Sequence, residues 1–408
     1  MDWYLSVLYM MGQVIIDSFT SPIFIILYLL LMVLSGWQYK KLEKISAAII
    51  NTKGQTFIKS TVISAFLGLI GGLLGSILLV FIGIDLQSIG ILPLWIIALA
   101  LMLISPRYLC FAYAGGILAF INLVFGYPQV SIPQLMALIA ILHMVESLLI
   151  LLSGHLNPMP VYVKYEDQIR GGFNLQKFWP IPLIVLVSAG ISDPTSGVMM
   201  PEWWPLLKDY DGFVEGVTYT LLPVLAILGY GEISTTCSPK EKARKSALHL
   251  FIFSMCLLVL SVIASYWNLF LPIVALFSPL GHEIVIWLGM RHEKNKKPEY
   301  VAPSKGVGVL AIEKPSFAAR TGIKPGDIIL SVNGKEVDSK NELIEQVNQS
   351  FFLVLEIKRR GEILKISGKK YYDDELGIIF VPDNRVKRYL TVKEDSLLDI
   401  LANVRGKV

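Results

Sequence analysis

The feature that most constrains this chain is a series of apolar stretches that fills its first 290 residues. Roughly nine of them approach the length of about 20 residues that an α-helix needs to cross a bilayer. They occupy residues 21–38, 61–83, 89–104, 107–126, 132–153, 178–192, 213–231, 247–266 and 269–290. Since 54% of the 408 side chains are apolar and only 17% are charged, a single soluble domain is excluded. We therefore predict an α-helical polytopic membrane domain with about 8–9 spans over residues 1–297.

The basic residues between these stretches predict how the protein is oriented in the membrane. Lysine and arginine collect in the loops after the first, fifth and seventh stretches, and loops of this charge stay in the cytoplasm. Segment 193–216 is acidic and aromatic, so we expect it outside the cell. The last span ends in a basic run, 291–297, so the C-terminal residues beyond it are predicted to be cytoplasmic. A net charge of only +4, spread over loops, argues against nucleic-acid binding.

Small residues in the second apolar stretch predict close helix packing. Gly71 and Gly75 have the spacing that lets another backbone approach a membrane helix. Because small residues line most helix interfaces in membranes, packing within the chain is favoured over a dimer contact.

The cysteines give no sign of a cross-link or a metal centre. Cys110, Cys237 and Cys256 lie far apart and follow no metal-ligand spacing. We interpret them as packing residues and expect neither a metal site nor another cofactor.

From residue 298 onward, short strands and turns replace the apolar runs, which predicts a small α+β domain over 298–390 and a tail over 391–408. Asn333 and Gly334 are a strong hairpin signal. Ser339, with Glu342 three residues later, predicts the capped start of a helix. A second hairpin is predicted around Gly361.

The stretch GVLAIEKPSFAARTGIKPGDIILSVNGKEV, which begins at Gly308, resembles bacterial PDZ domains. The resemblance covers about residues 303–383 and implies a groove in which an extended peptide adds to a strand beside the capped helix. Two stretches could form the loop that receives the peptide carboxylate. Residues 306–309 resemble the loop of animal PDZ domains, and Leu376, Gly377, Ile378 and Ile379 fit the permuted bacterial order, which we favour. Leu343 and Val347 are predicted either to line the groove or to lie in the core.

The apolar stretches also contain ionisable residues, which are functional candidates in a membrane. His282 and Glu283 begin like the zinc-protease motif HExxH, but Ile286 stands where the second histidine belongs. We therefore predict no catalytic residues and no enzyme. A PDZ-bearing intramembrane protease, or a regulator of proteolysis, remains the alternative.

His143 and Glu146 share a face of the fifth predicted span. They predict either a hydrogen-bonded network that fixes helix register, with His282 and Glu283 in the other span, or the polar site of an ion-coupled transporter. The chain shows no repeated half of the kind that transporters have, so the structural interpretation is favoured.

A polytopic domain followed directly by one PDZ-like domain resembles the MinJ family of division-site topological determinants of Gram-positive bacteria. The phrases SGHLNPMPVYVK at 153–164 and SPLGHEIVIWLGMRHE at 278–293 carry the resemblance. It implies a non-enzymatic scaffold of the cell membrane, at the division septum and poles. Its implied partners are the scaffold DivIVA, the ATPase MinD of the Min system, which restricts FtsZ ring assembly, and other division proteins whose peptide tails would bind the PDZ domain.

Overall fold

The computed structural model describes residues 2–50, 57–165, 168–191, 198–207, 217–383 and 386–391. Much of the predicted external segment 193–216, and nearly all of the predicted tail 391–408, lie outside these residues. The described part before the first strand is helical and consists of α1 (Trp3–Thr20), α2 (Pro22–Ile50), α3 (Phe57–Ile82), α4 (Ile91–Ile104), α5 (Phe111–Phe125) and α6 (Ile132–Ser153). Five strands come next, β1 (Met159–Tyr165), β2 (Gln168–Asn174), β3 (Lys177–Ile191), β4 (Val217–Tyr230) and β5 (Ile233–Ser234). Two further helices are α7 (Pro239–Tyr266) and α8 (Leu271–Asn295).

The described helices include fewer long spans than the apolar stretches predict. By length and composition, five segments are able to cross a membrane: α2, α3, α6, α7 and Asn268–Asn295, which contains α8. The apolar helices α4 and α5 are shorter, with 14 and 15 residues.

Two of the predicted spans are strands. Segments 178–192 and 213–231 contribute β3 and β4, which pair antiparallel from Lys177↔Tyr230 to Ile191↔Val217. The prediction that each is a helix was wrong because hydropathy does not separate an apolar strand from a helix. Pro180, Pro182 and Pro223 are the signal that it missed, since proline inside a helix removes a hydrogen bond and clashes with the preceding turn.

The strand β3 lies directly against α3 because glycines leave room for its backbone. A Cβ atom on Gly68 would lie 2.1 Å from the Pro180 carbonyl oxygen, and one on Gly72 would lie 2.0 Å from the Pro182 carbonyl oxygen. Neither oxygen belongs to a flexible side chain. The two positions therefore accept no side chain without a shift of the strand.

Alanine at Gly72 should destabilise the packing of β3 on α3. Overpacking costs about 1–3 kcal/mol, and here the obstacle is backbone. Gly12 is the matched control, since it is also helical and has nothing within 4 Å of an added Cβ. Gly12→Ala should be neutral or stabilising by up to about 1 kcal/mol, because alanine is the better helix former. Thermal unfolding of both variants in detergent checks this, and an unchanged midpoint for Gly72→Ala would contradict the close approach.

The other glycine pair of α3 packs within the chain, as predicted. A Cβ on Gly71 would contact Leu149 and Val145 of α6, and one on Gly75 would contact Leu183 of β3 and Val145. Both glycines are buried by elements of the same chain.

The helices α7 and α8 meet β5 at a buried charged cluster. The Lys242 ammonium lies 3.3 Å from a Glu232 carboxylate oxygen and 3.4 Å from one of Glu293. The other Glu293 oxygen accepts hydrogen bonds from the Thr235 amide and hydroxyl, both at 2.9 Å, and from the Thr236 amide at 3.2 Å. This cluster joins the start of α7 and the end of α8 to the strands beside them.

The C-terminal domain is an antiparallel sheet with two helices. Its elements are β6 (Val307–Ile312), α9 (Phe317–Thr321), β7 (Ile328–Val332), β8 (Lys335–Glu336), α10 (Lys340–Asn348), β9 (Phe352–Arg359), β10 (Glu362–Lys369) and β11 (Ile378–Phe380), and β12 (Leu390–Thr391) comes after them. The strand order is β10-β9-β7-β6-β11, with β8 paired to β7.

The local signals in this domain predicted its turns correctly. Asn333 and Gly334 have φ angles of +50° and +80° and join β7 to β8. The Ser339 hydroxyl accepts from the Glu342 amide at the start of α10, and the Glu342 carboxylate accepts from the Asp338 amide. The second hairpin, β9 to β10, turns at Gly361 with φ +96°.

The C-terminal domain is docked on the strands that come after α6. In the order β12-β1-β2-β5, these strands form a four-stranded sheet to which the C-terminal chain itself contributes β12. The Gly171 amide of β2 donates to the Tyr300 carbonyl at 2.8 Å, and the Tyr300 ring packs edge-on against Phe173. Leu310 and Ala311 of β6 belong to the same buried cluster.

Candidate peptide-binding edge

The strand β11 is the last strand of its sheet, and only one of its edges is paired by another strand among the described residues. The Gly377 carbonyl accepts from the Glu313 amide at 2.9 Å, and the Val381 amide donates to the Gly308 carbonyl at 3.0 Å. Both groups therefore point toward β6. Since successive residues of a strand direct their backbone groups to opposite edges, those of Ile378 and Phe380 point to the other edge.

The loop before β11 is held against the start of α9. The amides of Phe317 and Ala318 donate to the carbonyls of Glu375 and Leu376 at 3.1 Å and 3.2 Å. Gly377 turns the chain with φ +67°. Within the described part of the chain, the amides of Leu376 and Gly377 make no backbone hydrogen bond, so they are available to an anion such as a peptide carboxylate.

The alternative loop, residues 306–309, occupies a different place. Val307, Gly308 and Val309 belong to β6, which pairs with β7 on one side and β11 on the other. The Gly306 amide donates to Asp338 at 2.7 Å. This stretch is therefore inside the sheet and away from the free edge.

The side chains that α10 directs toward this edge are not the two that the sequence singled out. Leu343 and Val347 are 0% and 2% exposed and lie in the core, which is the second of the two predicted possibilities. The Lys340 ammonium instead stands 5.2 Å from the centre of the Phe380 ring, and Ile344, one helical turn later, is 37% exposed. The Lys340 side chain therefore lies beside the strand, and Ile344 is the exposed apolar residue of the same helix.

The side chains of the loop and strand divide between two environments. Leu376, Ile378 and Phe380 pack at the margin of the C-terminal core, beside the free edge. Ile379 is only 8% exposed and joins the cluster that contacts β1 and β2. Three of the strand and loop side chains are thus placed for ligand contact, whereas Ile379 anchors the domain.

One residue of the four-stranded sheet β12-β1-β2-β5 reaches the free edge. The Tyr162 hydroxyl of β1 donates to the Phe380 carbonyl at 3.0 Å. Burial, and then the nearby Asp383, raises the pKa of Tyr162 to about 12, so this hydroxyl remains a proton donor at neutral pH. No sequence pattern signals this contact, because the two residues are 218 positions apart.

The ionisable residues that the sequence singled out in the apolar stretches are paired differently from the prediction. His143 lies beside His282, with ring centres 5.2 Å apart, and the Cys110 sulfur lies between the two rings. The Glu283 carboxylate is held by Arg107 at 2.5 Å and by the Tyr113 hydroxyl at 2.6 Å. With both of its oxygens engaged, Glu283 is not placed to activate water. The structure does join the two helices of the predicted network through the histidines.

Comparison with known proteins agrees with this geometry. Residues 308–356 match the family model described as PDZ domain. That segment is a PDZ domain. Serine protease HTRA3 of Rattus norvegicus is 36% identical over 74 residues, and serine protease HTRA4 of Mus musculus is 32% identical over 75 residues. Each alignment covers 18% of this chain and 16% of the relative.

The chain thus matches about a sixth of the length of these curated relatives, in the PDZ region alone. No catalytic domain is aligned, and the likeness carries only the type of domain, one that binds peptides. The loop formed by residues 376–379 lies beyond the segment matched by the family model, so its role rests on the hydrogen bonds of the loop itself.

Proposed function

We propose that this protein is a non-enzymatic membrane adaptor whose PDZ domain binds the extended tails of partner proteins along the free edge of β11. The observation that carries the proposal is the outward-facing backbone of Ile378 and Phe380 beside the unbonded amides of Leu376 and Gly377. A peptide added here gains main-chain hydrogen bonds from the strand, and its carboxylate gains the loop amides.

The site of action that we propose is the division septum of a Gram-positive bacterium. There the PDZ domain, on the cytoplasmic side, would bridge a DivIVA-like scaffold and a MinD-like ATPase. The layout of a membrane domain with one docked PDZ domain supports this role. A groove of modest affinity suffices when both partners share one membrane, since tethering raises their effective concentration.

Localisation tests the proposal in the cell. A fluorescent fusion of the full chain should concentrate at the septum, whereas a fusion that lacks residues 303–408 should spread evenly over the membrane. This deletion keeps Tyr300, whose ring packs against Phe173 of β2. Equal septal enrichment of both fusions would contradict recruitment through the PDZ domain.

Tyr162 should limit peptide binding, because its hydroxyl already donates a hydrogen bond to the Phe380 carbonyl at the free edge. In Tyr162→Phe this carbonyl becomes free to accept from a peptide amide. A net hydrogen bond is worth about 0.5–1.5 kcal/mol, so affinity should rise by about threefold to tenfold. Fluorescence polarisation measures this on the full chain in nanodiscs, with a labelled C-terminal peptide selected from a displayed library.

Tyr372→Phe is the control for that measurement. Tyr372 is 89% exposed, and its hydroxyl makes no contact in the described structure, so the selected peptide should bind this variant as it binds the wild type. If Tyr162→Phe also binds unchanged, the Tyr162 contact does not compete with the peptide.

A further inference from the structure

Three electron-pair donors converge at the point where α5, α6 and α8 meet. The Cys110 sulfur lies 3.3 Å from the His143 Nε2 atom and 3.6 Å from the His282 Nε2 atom. All three residues have ligand atoms within 4.8 Å of one another. Cys110 immediately precedes α5, His143 is in the middle of α6 and His282 is in α8.

These separations are those of ligands around one small ion. With Zn–S near 2.3 Å and Zn–N near 2.0–2.1 Å, tetrahedral coordination places a sulfur and a nitrogen ligand about 3.6 Å apart. The two sulfur-to-nitrogen distances require only small adjustments to reach this value. A thiolate and two imidazoles are also a set that suits Zn²⁺.

The protonation of His143 is fixed by its other nitrogen. The His143 Nδ1 atom lies 2.7 Å from the Ile139 carbonyl oxygen, which can only accept, so Nδ1 carries the proton. The lone pair of the neutral ring is then on Nε2, which is the atom that faces Cys110. Metal-bound histidines are oriented in this way, by a hydrogen bond from the nitrogen that does not bind.

A backbone amide holds the Cys110 sulfur in place. Cys110 caps the N-terminus of α5, and its sulfur accepts from the Ala112 amide at 3.4 Å. The partial positive charge of a helix N-terminus stabilises a negative sulfur. The rings of Tyr113 and Phe253 pack edge-on against the histidines.

We propose that Cys110, His143 and His282 bind one Zn²⁺ ion within the membrane domain. Binding replaces the thiol proton, which is released to solvent, and forms one Zn–S and two Zn–N bonds. Glu146 lies one turn after His143 on α6. The bound thiolate offsets part of the charge of the ion.

The ion has a structural role in this proposal. It joins the start of α5 to α6 and α8, and α8 leads directly to the PDZ domain. The position of the PDZ domain relative to the membrane helices then depends on zinc. Zinc binding at this site does not depend on which peptide the PDZ domain binds.

Metal analysis of the full chain, purified in detergent without chelators or a histidine tag, tests the site. We expect about one zinc per chain after gel filtration, and less than a tenth of that in Cys110→Ser and in His282→Ala. Cys256→Ser is the matched control, because Cys256 is exposed on α7, and it should retain the metal. Zinc that persists in both site variants would overturn the proposal, since it would be bound elsewhere.

Cobalt substitution tests the same site without relying on the folding of a variant. Wild-type protein loaded with Co²⁺ should show thiolate-to-cobalt absorption in the near ultraviolet, and zinc should abolish it. Wild-type protein that holds no zinc and gives no such absorption when Co²⁺ is added would overturn the site.

Discussion

Alanine at Gly377 should strongly weaken peptide binding by the full chain. Gly377 has φ +67°, a conformation that costs an L-residue about 1–2 kcal/mol. The larger effect is steric, since an added Cβ would lie 2.1 Å from Ser316 Cβ and 2.3 Å from its hydroxyl oxygen. In the variant the loop has to move away from α9. The amides of Leu376 and Gly377 then no longer point in the same direction. We expect affinity for the selected peptide to fall at least about tenfold, which corresponds to 1.4 kcal/mol.

The control for this variant is Gly334→Ala. Gly334 has φ +80° but nothing within 4 Å of an added Cβ, so it shares the backbone strain without the clash. Binding to Gly334→Ala should stay within about twofold of wild type. In cells, Gly377→Ala should remain in the membrane while its partner disperses from the septum. Unimpaired binding by a folded Gly377→Ala protein would refute the assigned loop.

Alanine at Glu293 should cost about 3–5 kcal/mol of stability, because it removes one partner of a buried ion pair. The Lys242 and Glu293 side chains are 4% and 7% exposed. The substitution also leaves the Thr235 and Thr236 amides without their acceptor. We expect the thermal midpoint of the full chain in detergent to fall by on the order of 10 °C.

Two further variants separate charge from hydrogen bonding at this junction. Glu293→Gln keeps an oxygen that accepts from the amides and removes only the charge. Its loss of stability should therefore be smaller than that of Glu293→Ala. Glu241→Gln removes the exposed pair between Glu241 and Lys245 on α7, which is worth about 0.5 kcal/mol or less. If Glu293→Ala is no more harmful than Glu241→Gln, the cluster does not hold the junction together.

Short-range signals predicted the C-terminal domain well. The Asn333–Gly334 turn and the Ser339 cap depend on neighbours within a few residues, so their chemistry is visible in the sequence. The PDZ resemblance supplied the type of domain, which the match over residues 308–356 supports.

The part of the chain before residue 298 was predicted less completely, for a physical reason. Lys177–Ile191 is buried along most of its length, and Val217–Tyr230 is equally apolar although Leu222 and Ile227 are exposed, so both strands have the hydropathy of spans. A pair of prolines two residues apart was the available clue to the first of these strands.

Contacts between distant residues were not predictable from one sequence. Cys110 had no partner nearby in the chain, yet it lies against His143 and His282, 33 and 172 positions away. Similarly, no sequence pattern around Tyr162 or Phe380 indicates that β1 contacts the free edge of β11. Such pairs exist only after the helices and sheets have packed.

Amide hydrogen exchange on the full chain in nanodiscs, with and without the selected peptide, tests the central claim most directly. If a partner tail adds to β11, exchange should slow most in residues 376–380, where Ile378 and Phe380 gain new hydrogen bonds. Protection that falls elsewhere while these residues exchange as before would show that the peptide is bound at another surface.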